Sequence, residues 1–180
     1  MPRPPESVTE RLTLDRLPTP VGEGIVVTDA DGFLRAFDWT SHEARLRLLL
    51  RRQNPPTELA EGAAPAGVRA SLDAYFGGEL AALSAIPWRT GGTEFQRAVW
   101  TALCTIPPGE TLTYKGLAAR IGKPAAIRAV GLANGANPVG VVVPCHRVIG
   151  SDGSLTGYGG GIERKQWLLR HEGAAFRDAA

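Results

Sequence analysis

The chain has 180 residues and a mass of 19.1 kDa, enough for one ordinary domain or two small ones with a core that needs no covalent staple. Hydrophobic residues at 43%, charged residues at 21% and 14 prolines without a repeat exclude fibrous, collagenous and disordered chains. Basic and acidic side chains nearly balance at 20 and 18, but residues 88–180 hold 11 basic against 6 acidic, so a polyanionic partner would belong on that half.

Residues 1–10 carry Pro2, Pro4 and Pro5 and no apolar run, so neither a signal peptide nor a transit helix is expected. Residues 11–17, 25–28 and 33–39 alternate or are β-branched and aromatic, with Asp31-Gly32 turning between the last two, and predict a three-stranded antiparallel meander. The Asp29-Ala30-Asp31-Gly32 run lacks the other ligands of a calcium loop. Helices are predicted over 42–52, capped by Ser41, and over 67–76, with Asn54-Pro55-Pro56 breaking the chain between them. Residues 77–92 are rich in Gly, Ala and Pro and read as a linker, giving a supporting unit at 1–87 and a second unit at 88–180.

In the second unit Thr93 caps a helix to about residue 105, stopped by Pro107-Pro108-Gly109. Two short helices follow, 114–121 and 124–135, joined at Gly122-Lys123 with Pro124 as the first helical residue. Such a pair serves as plain architecture as well as a DNA-binding helix-turn-helix. Its second helix is unusual: Ala126, Ala129, Ala133 and Gly135 leave one side bare, Ile127, Val130 and Leu132 can face the core, and Arg128 projects alone. A bare helix suits close docking on a sugar-phosphate groove better than reading major-groove base edges. The fold class is therefore α+β: a small N-terminal α/β domain with a three-stranded sheet, and a mostly helical C-terminal domain with a helix-turn-helix.

The chemistry concentrates at residues 137–149. The apolar run 139–143 predicts a buried strand that ends at Pro144 and delivers Cys145, with His146 and Arg147 beside it. A free thiol ionises near pH ~8.5 and needs an adjacent base or cation to act as a nucleophile, and Cys145 has both. Neighbours in extended chain point to opposite faces, so His146 would reach the thiol through a water or a backbone bend. Cys104, inside an amphipathic helix, reads as an inert core residue. Two cysteines are too few for a disulfide scaffold or a Cys-rich zinc site and imply a reduced, cytoplasmic compartment. No apolar stretch approaches the roughly 18 residues that span a bilayer.

The helix beginning near residue 162 ends at Arg170-His171-Glu172-Gly173, where Gly173 fits a left-handed cap but Glu172 opposes the helix dipole. Glu172 is nominated to orient His146; the alternative is a solvated terminal carboxylate. The glycines of 157–161 match no nucleotide-binding fingerprint, so no cofactor is expected; Tyr158 could instead pack on a flat ligand under a closing loop.

These residues carry a resemblance. Pro144-Cys145-His146-Arg147, Arg128-Ala129-Val130-Gly131 with Asn137-Pro138, Thr113-Tyr114 with Leu117-Ala118, and Gly157-Tyr158 leading to Glu172-Gly173 resemble the O6-alkylguanine-DNA alkyltransferase family over about residues 90–173. The resemblance implies that a damaged guanine is flipped from duplex DNA, Arg128 fills the vacancy, and the second helix lies in the minor groove, with Ala126, Ala129, Gly131, Thr113 and Lys123 at the DNA. It implies Cys145 as alkyl acceptor, His146 as base through a water, Glu172 holding the imidazole, and Tyr114 protonating the departing base. It implies a base pocket of Tyr114, Pro144, Val148, Tyr158, Gly159 and Gly160, with Asn137 as a hinge. The expected activity is irreversible transfer of the O6-alkyl group of guanine, and of the O4-methyl of thymine, once per molecule by a monomer. The family's N-terminal zinc site is not expected, since no cysteine precedes Cys104. Two alternatives are a lesion sensor without chemistry, against which retention of Cys145 argues, and a cysteine hydrolase, disfavoured by the adjacent Cys and His.

Overall fold

A computed structural model describes residues 8–53 and 55–178. The expectations for residues 1–7, and for Asn54 as a chain breaker, lie outside the described residues. The molecule is mixed α+β. The three predicted strands are present as β1 (Glu10–Thr19), β2 (Gly22–Thr28) and β3 (Leu34–Trp39), paired antiparallel. The sheet has four strands, not the three expected: β4 (Thr57–Glu61) adds to β1 in parallel, giving the order β3-β2-β1-β4. β4 reads Thr-Glu-Leu-Ala-Glu, with one β-branched residue and a face only half-buried at Thr57 and Leu59, so propensity does not mark it and the one apolar residue on that face is too little alternation to read. Pairing draws it in, beginning where Glu10 N–H donates to Pro56 O at 2.8 Å.

The sheet is covered on both faces, which explains the uninterrupted apolar run in β2. Leu12, Leu14, Ile25, Val27 and Ala36 pack on α1 (Glu43–Arg51) through Leu46 and Leu50. The other face, with Val26, Phe37 and Trp39, joins a larger cluster shared with the second half of the chain. Ser41 does not cap α1 as expected. A 3₁₀ turn at Thr40–His42 precedes the helix, His42 takes the cap position without a side-chain bond, and Ser41 Oγ instead accepts from Arg164 Nη1 at 2.9 Å.

α2 (Ala66–Phe76) buries Val68, Leu72 and Tyr75. The Gly- and Pro-rich segment after it is pinned to the sheet: Leu34 N–H donates to Pro87 O at 2.8 Å and Arg89 N–H to Leu34 O at 3.1 Å. α3 (Glu94–Leu103) starts with the predicted Thr93 cap, in a reciprocal box with Gln96. It ends two residues early, so Cys104 is an exposed C-cap and not a core residue.

Thr113, at the end of the two-residue strand β5 (Leu112–Thr113), caps α4 (Tyr114–Arg120) by accepting from Gly116 N–H at 2.9 Å. α5 (Ile127–Gly135) begins three residues later than expected, because Ala126 N–H closes a separate turn onto Lys123 O and leaves Pro124 outside the helix. Its core stripe is Val130, Ala133 and Asn134. Ile127 and Leu132 are exposed, at 40% and 72%, and do not face the core. Leu132 sits two residues from Val130, on the opposite side of the helix.

The expected strand at 139–143 is absent. The valines are buried, but a single bridge pairs Val139 with Phe37, and the chain then folds back on itself with Val142 N–H on Gly140 O and Val143 N–H on Val139 O. Val141 has φ 68°, a left-handed conformation unusual for a β-branched residue. Asn137 pins this turn, its Oδ1 accepting from Val139 N–H at 2.9 Å and its Nδ2 donating to Val143 O at 2.8 Å. β6 (Val148–Ile149) pairs with β5, and α6 (Ile162–His171) ends at Glu172 with Gly173 at φ 72°, as predicted.

Candidate active site

The turn pinned by Asn137 delivers Cys145 into a 3₁₀ turn, Cys145–Arg147. Successive side chains therefore splay in different directions: Cys145 lines an open cavity of about 480 Å³, while His146 and Arg147 run inward. Tyr114 from α4, Gly131 from α5, and Tyr158 and Gly159 from the segment before α6 line the same cavity, as does Arg45 from α1. A Cβ on Gly131 would stand 3.8 Å from the Tyr114 ring, in van der Waals contact with it. Of the other expected pocket residues, Pro144 lines a separate cavity behind the thiol, Val148 is fully buried, and Gly160 packs on Trp39.

Glu172 is buried beneath the thiol's neighbours, and the alternative of a solvated carboxylate is excluded. Its Oε1 accepts from His146 Nε2 at 2.8 Å, and Arg147 donates to Oε1 through Nη2 at 2.8 Å and to Oε2 through Nε at 2.9 Å. Burial opposes ionisation of Glu172, but His146 and Arg147 outweigh it and hold the carboxyl far below the usual carboxylate range. An ionised carboxylate only accepts, so the His146 proton sits on Nε2 and Nδ1 is the basic nitrogen. Nδ1 is buried with no partner among the described residues. Burial pushes the His146 pKa down, with Glu172 opposing and Arg147 and Lys165 reinforcing, so the imidazole is neutral at pH 7.

The adjacent base and cation do not bring the Cys145 thiol below its ordinary pKa. Burial raises the Cys145 pKa above its ordinary value, against the downward pull of Asn137, Arg45 and Lys165. A nucleophile protonated at rest needs its base during the reaction. Tyr114, whose hydroxyl accepts from Thr156 Oγ1 at 2.8 Å, is pushed up by burial and stays protonated.

The residues expected to face DNA lie mostly at the surface. Arg128, Ala129 and Lys123 are exposed, Ala126 and Gly131 half-buried, and Thr113 Oγ1 is spent on the α4 cap. Arg128 has no hydrogen bond or ion pair among the described residues.

Three residues near the site carry no sequence signal. Lys165 is fully buried, and its Nζ donates to Val148 O at 2.6 Å and Gly157 O at 3.4 Å, tying α6 to the cavity wall; burial pulls its pKa down to about 8. Arg45 reaches across from α1 to Asp38 at 2.6 Å and to Gly135 O at 3.1 Å, and its guanidinium occupies the space a Cβ at Gly159 would need. Tyr75 of α2 donates to Glu172 Oε1 at 2.8 Å. A lysine in an amphipathic helix, an arginine in a basic one and an aromatic on a core stripe each have an ordinary structural reading, and only the fold brings them together.

A cavity-facing thiol with a neutral imidazole and a carboxylate behind it defines a cysteine-nucleophile protein, and the helices around the cavity narrow the class. The model of the 6-O-methylguanine DNA methyltransferase DNA-binding domain matches residues 94–174. The methylated-DNA--protein-cysteine methyltransferase of Salmonella typhimurium is 48% identical over 165 residues, covering 91% of this chain and 96% of its own. Mycobacterium tuberculosis OGT, solved in complex with DNA, is similar with a TM-score of 0.74 and 39% identity over 91% of this chain and 92% of that one. The O6-methylguanine-DNA methyltransferase of Pyrococcus kodakaraensis strain KOD1 gives a TM-score of 0.70 at 25% identity, over 91% and 99% of the two chains. The chain belongs to the methylated-DNA--protein-cysteine methyltransferase family. Among the described residues no helix is long and apolar enough to cross a membrane.

Proposed function

We propose that this protein repairs DNA by direct reversal, moving the O6-alkyl group of guanine, and the O4-methyl of thymine, from duplex DNA to Cys145. The observation that carries this reading is the Cys145 thiol at an open cavity backed by the His146–Glu172 pair. In the reaction the thiol proton passes through a water to Nδ1 of His146, and the imidazolium that forms is stabilised by Glu172. Sulfur then attacks the alkyl carbon, an S–C bond forms as the C–O bond breaks, and Tyr114 gives its proton to the ring nitrogen so that the base departs neutral. The thioether lies off the oxidation ladder, so no redox cycle restores the thiol and each molecule acts once. Burial that keeps Cys145 protonated spares it from other electrophiles until the base is engaged.

In this reading α4 and α5 form a helix-turn-helix that docks in the minor groove of duplex DNA, with Ala126, Ala129 and Gly131 allowing close approach. Arg128 enters the stack as the damaged base flips into the cavity. Lys123 and the backbone at Thr113 meet phosphates, and Asn137 sets the angle between α5 and the thiol. Tyr158 packs on the base and Gly159 offers its amide, while Pro144 and Val148 support the cavity from behind and Gly160 holds the loop against Trp39. Residues 1–87 support a DNA-binding and alkyl-acceptor unit at 88–180, and the protein acts as a cytoplasmic monomer.

Intact mass spectrometry after one exposure to duplex carrying O6-methylguanine tests nucleophile, substrate and stoichiometry together. The expected result is a gain of one methyl, on the peptide holding Cys145, and none in Cys145→Ala. No gain on the wild-type protein overturns the reading, and turnover of activated esters beyond one equivalent favours a hydrolase.

A further inference from the structure

The alkyl-transfer reading accounts for His146, Glu172 and Tyr114 but leaves unused a fourth group that touches the same relay. Tyr75 lies on α2, 97 residues from Glu172 in sequence, and its phenolic hydroxyl is a buried donor aimed at the carboxylate. Oε1 of Glu172 receives three donors, each at 2.8 Å: His146 Nε2, Arg147 Nη2 and Tyr75 O–H. Oε2 receives Arg147 Nε alone. A carboxylate offers about two acceptor sites per oxygen, so three donors crowd Oε1 while Oε2 keeps one site open, and the four bonds together fix the plane of the group. Two further contacts hold Tyr75, one at its backbone and one at its ring. His171 Nε2 donates to the Tyr75 carbonyl at 2.7 Å, and the two rings meet edge-on with centroids 5.2 Å apart.

Resting on the alkyl-transfer reading, we propose that Tyr75 is a positioning residue for the reaction: its hydroxyl orients the carboxylate that orients His146, and sets how much negative charge that carboxylate presents to the imidazole. The direction of the effect follows from the donor count. A donor on Oε1 draws charge away from the His146 bond, so the phenol weakens the stabilisation of the imidazolium and keeps His146 neutral at lower pH. Glu172 and Tyr75 raise and moderate the imidazole pKa in this way, Arg147 beside it and Lys165 of α6 lower it, and Cys145 is the group it serves. Burial and the Glu172 charge raise the Tyr75 pKa far above the ordinary phenol value, so it remains a donor at every working pH. The N-terminal part of the chain thereby takes part in the proton relay and does more than support it.

The test is a pair of shape-preserving changes with opposite signs. Tyr75→Phe removes the donor and keeps the ring; 3-fluorotyrosine installed at position 75 keeps the hydroxyl and makes it a stronger donor. Single-turnover transfer from O6-methylguanine duplex is expected to slow about tenfold in Tyr75→Phe, in line with loss of a partner that orients a working histidine, with DNA affinity unchanged. The acid limb of the pH–rate profile is expected to move to higher pH by on the order of half a unit in Tyr75→Phe and to lower pH in the fluorinated protein. NMR titration of the His146 ring reads the same two shifts without requiring transfer. Rates and His146 titrations unmoved in both proteins overturn the proposal, as does a rate loss in Tyr75→Phe with His146 unmoved, which marks a packing role. Failure of wild-type Cys145 to gain a methyl overturns the alkyl-transfer reading instead, and the titration still decides whether Tyr75 tunes His146.

Discussion

Lys165 shows how a single buried charge links stability to pH. It is fully buried, its Nζ has carbonyl partners and no carboxylate among the described residues, and burial lowers its pKa to about 8 against an unfolded value near ~10.4. Between those two values the unfolded chain holds a proton the folded chain has released, so the contribution of Lys165 to stability rises with pH across that window. At pH 7 the lysine is charged in both states and its burial is a cost. Lys165→Met removes the titration. The stability difference between wild type and variant is expected to shift toward wild type by on the order of 3 kcal/mol from pH 7.5 to 10.5. Urea unfolding of both proteins at the two pH values measures it, and a difference that stays flat refutes the assignment. At the same scale Glu172 was legible because a glutamate at a helix C-terminus violates a local preference, whereas Lys165, Arg45 and Tyr75 violate none. Their partners lie on other elements and leave no trace in local sequence.

The elements divide in the same way. Strands β1 to β3 and helix α3 carry their own signals, alternation in one case and the Thr93–Gln96 box in the other. β4 exists by pairing alone, and the valines of 139–143, apolar enough for a strand, fold as turns because the Asn137 amide accepts and donates where a neighbouring strand would have to. α5 illustrates the cost of reading burial from hydrophobicity. Val130→Ala is expected to destabilise the protein by about 2 kcal/mol through a cavity against α3 and α4, whereas Leu132→Ala, on the exposed side, should change stability by less than about 0.5 kcal/mol. Thermal melts of the two variants separate these outcomes, and equal losses would mean that the helix is rotated from the orientation described. In the DNA-binding reading the exposed side is the working side. Arg128→Ala is then expected to slow transfer from duplex far more than reaction with a free modified base, and equal losses on both substrates refute a role in flipping.

At the scale of the whole molecule, the composition break near residue 87 and the reversal of charge suggest two units, and neither says how strongly they are joined. The structure joins them through the core. One apolar cluster contains Val26, Phe37, Trp39 and Tyr75 from the first half and Trp100, Val130, Val139 and Leu168 from the second. Polar ties cross at several places: Gly140 N–H to Phe37 O at 3.1 Å, Arg164 Nε to Val21 O at 2.9 Å, and Tyr75 to Glu172. Separating the halves would expose most of that cluster and strand the Arg147–Glu172 pair beside a lost donor, so neither half has a low-energy way to open alone. Unfolding is therefore expected to be one cooperative transition. Trp39 and Trp100 sit in the shared cluster and Trp88 and Trp167 pack against it, so tryptophan fluorescence follows the core that joins the halves while far-UV circular dichroism follows the helices. Their urea midpoints should coincide, and the calorimetric and van't Hoff enthalpies should agree. Two resolved transitions, or fluorescence that changes well before ellipticity, would show that the shared core opens while helices persist and that the contact of Tyr75 with Glu172 is dispensable to the fold.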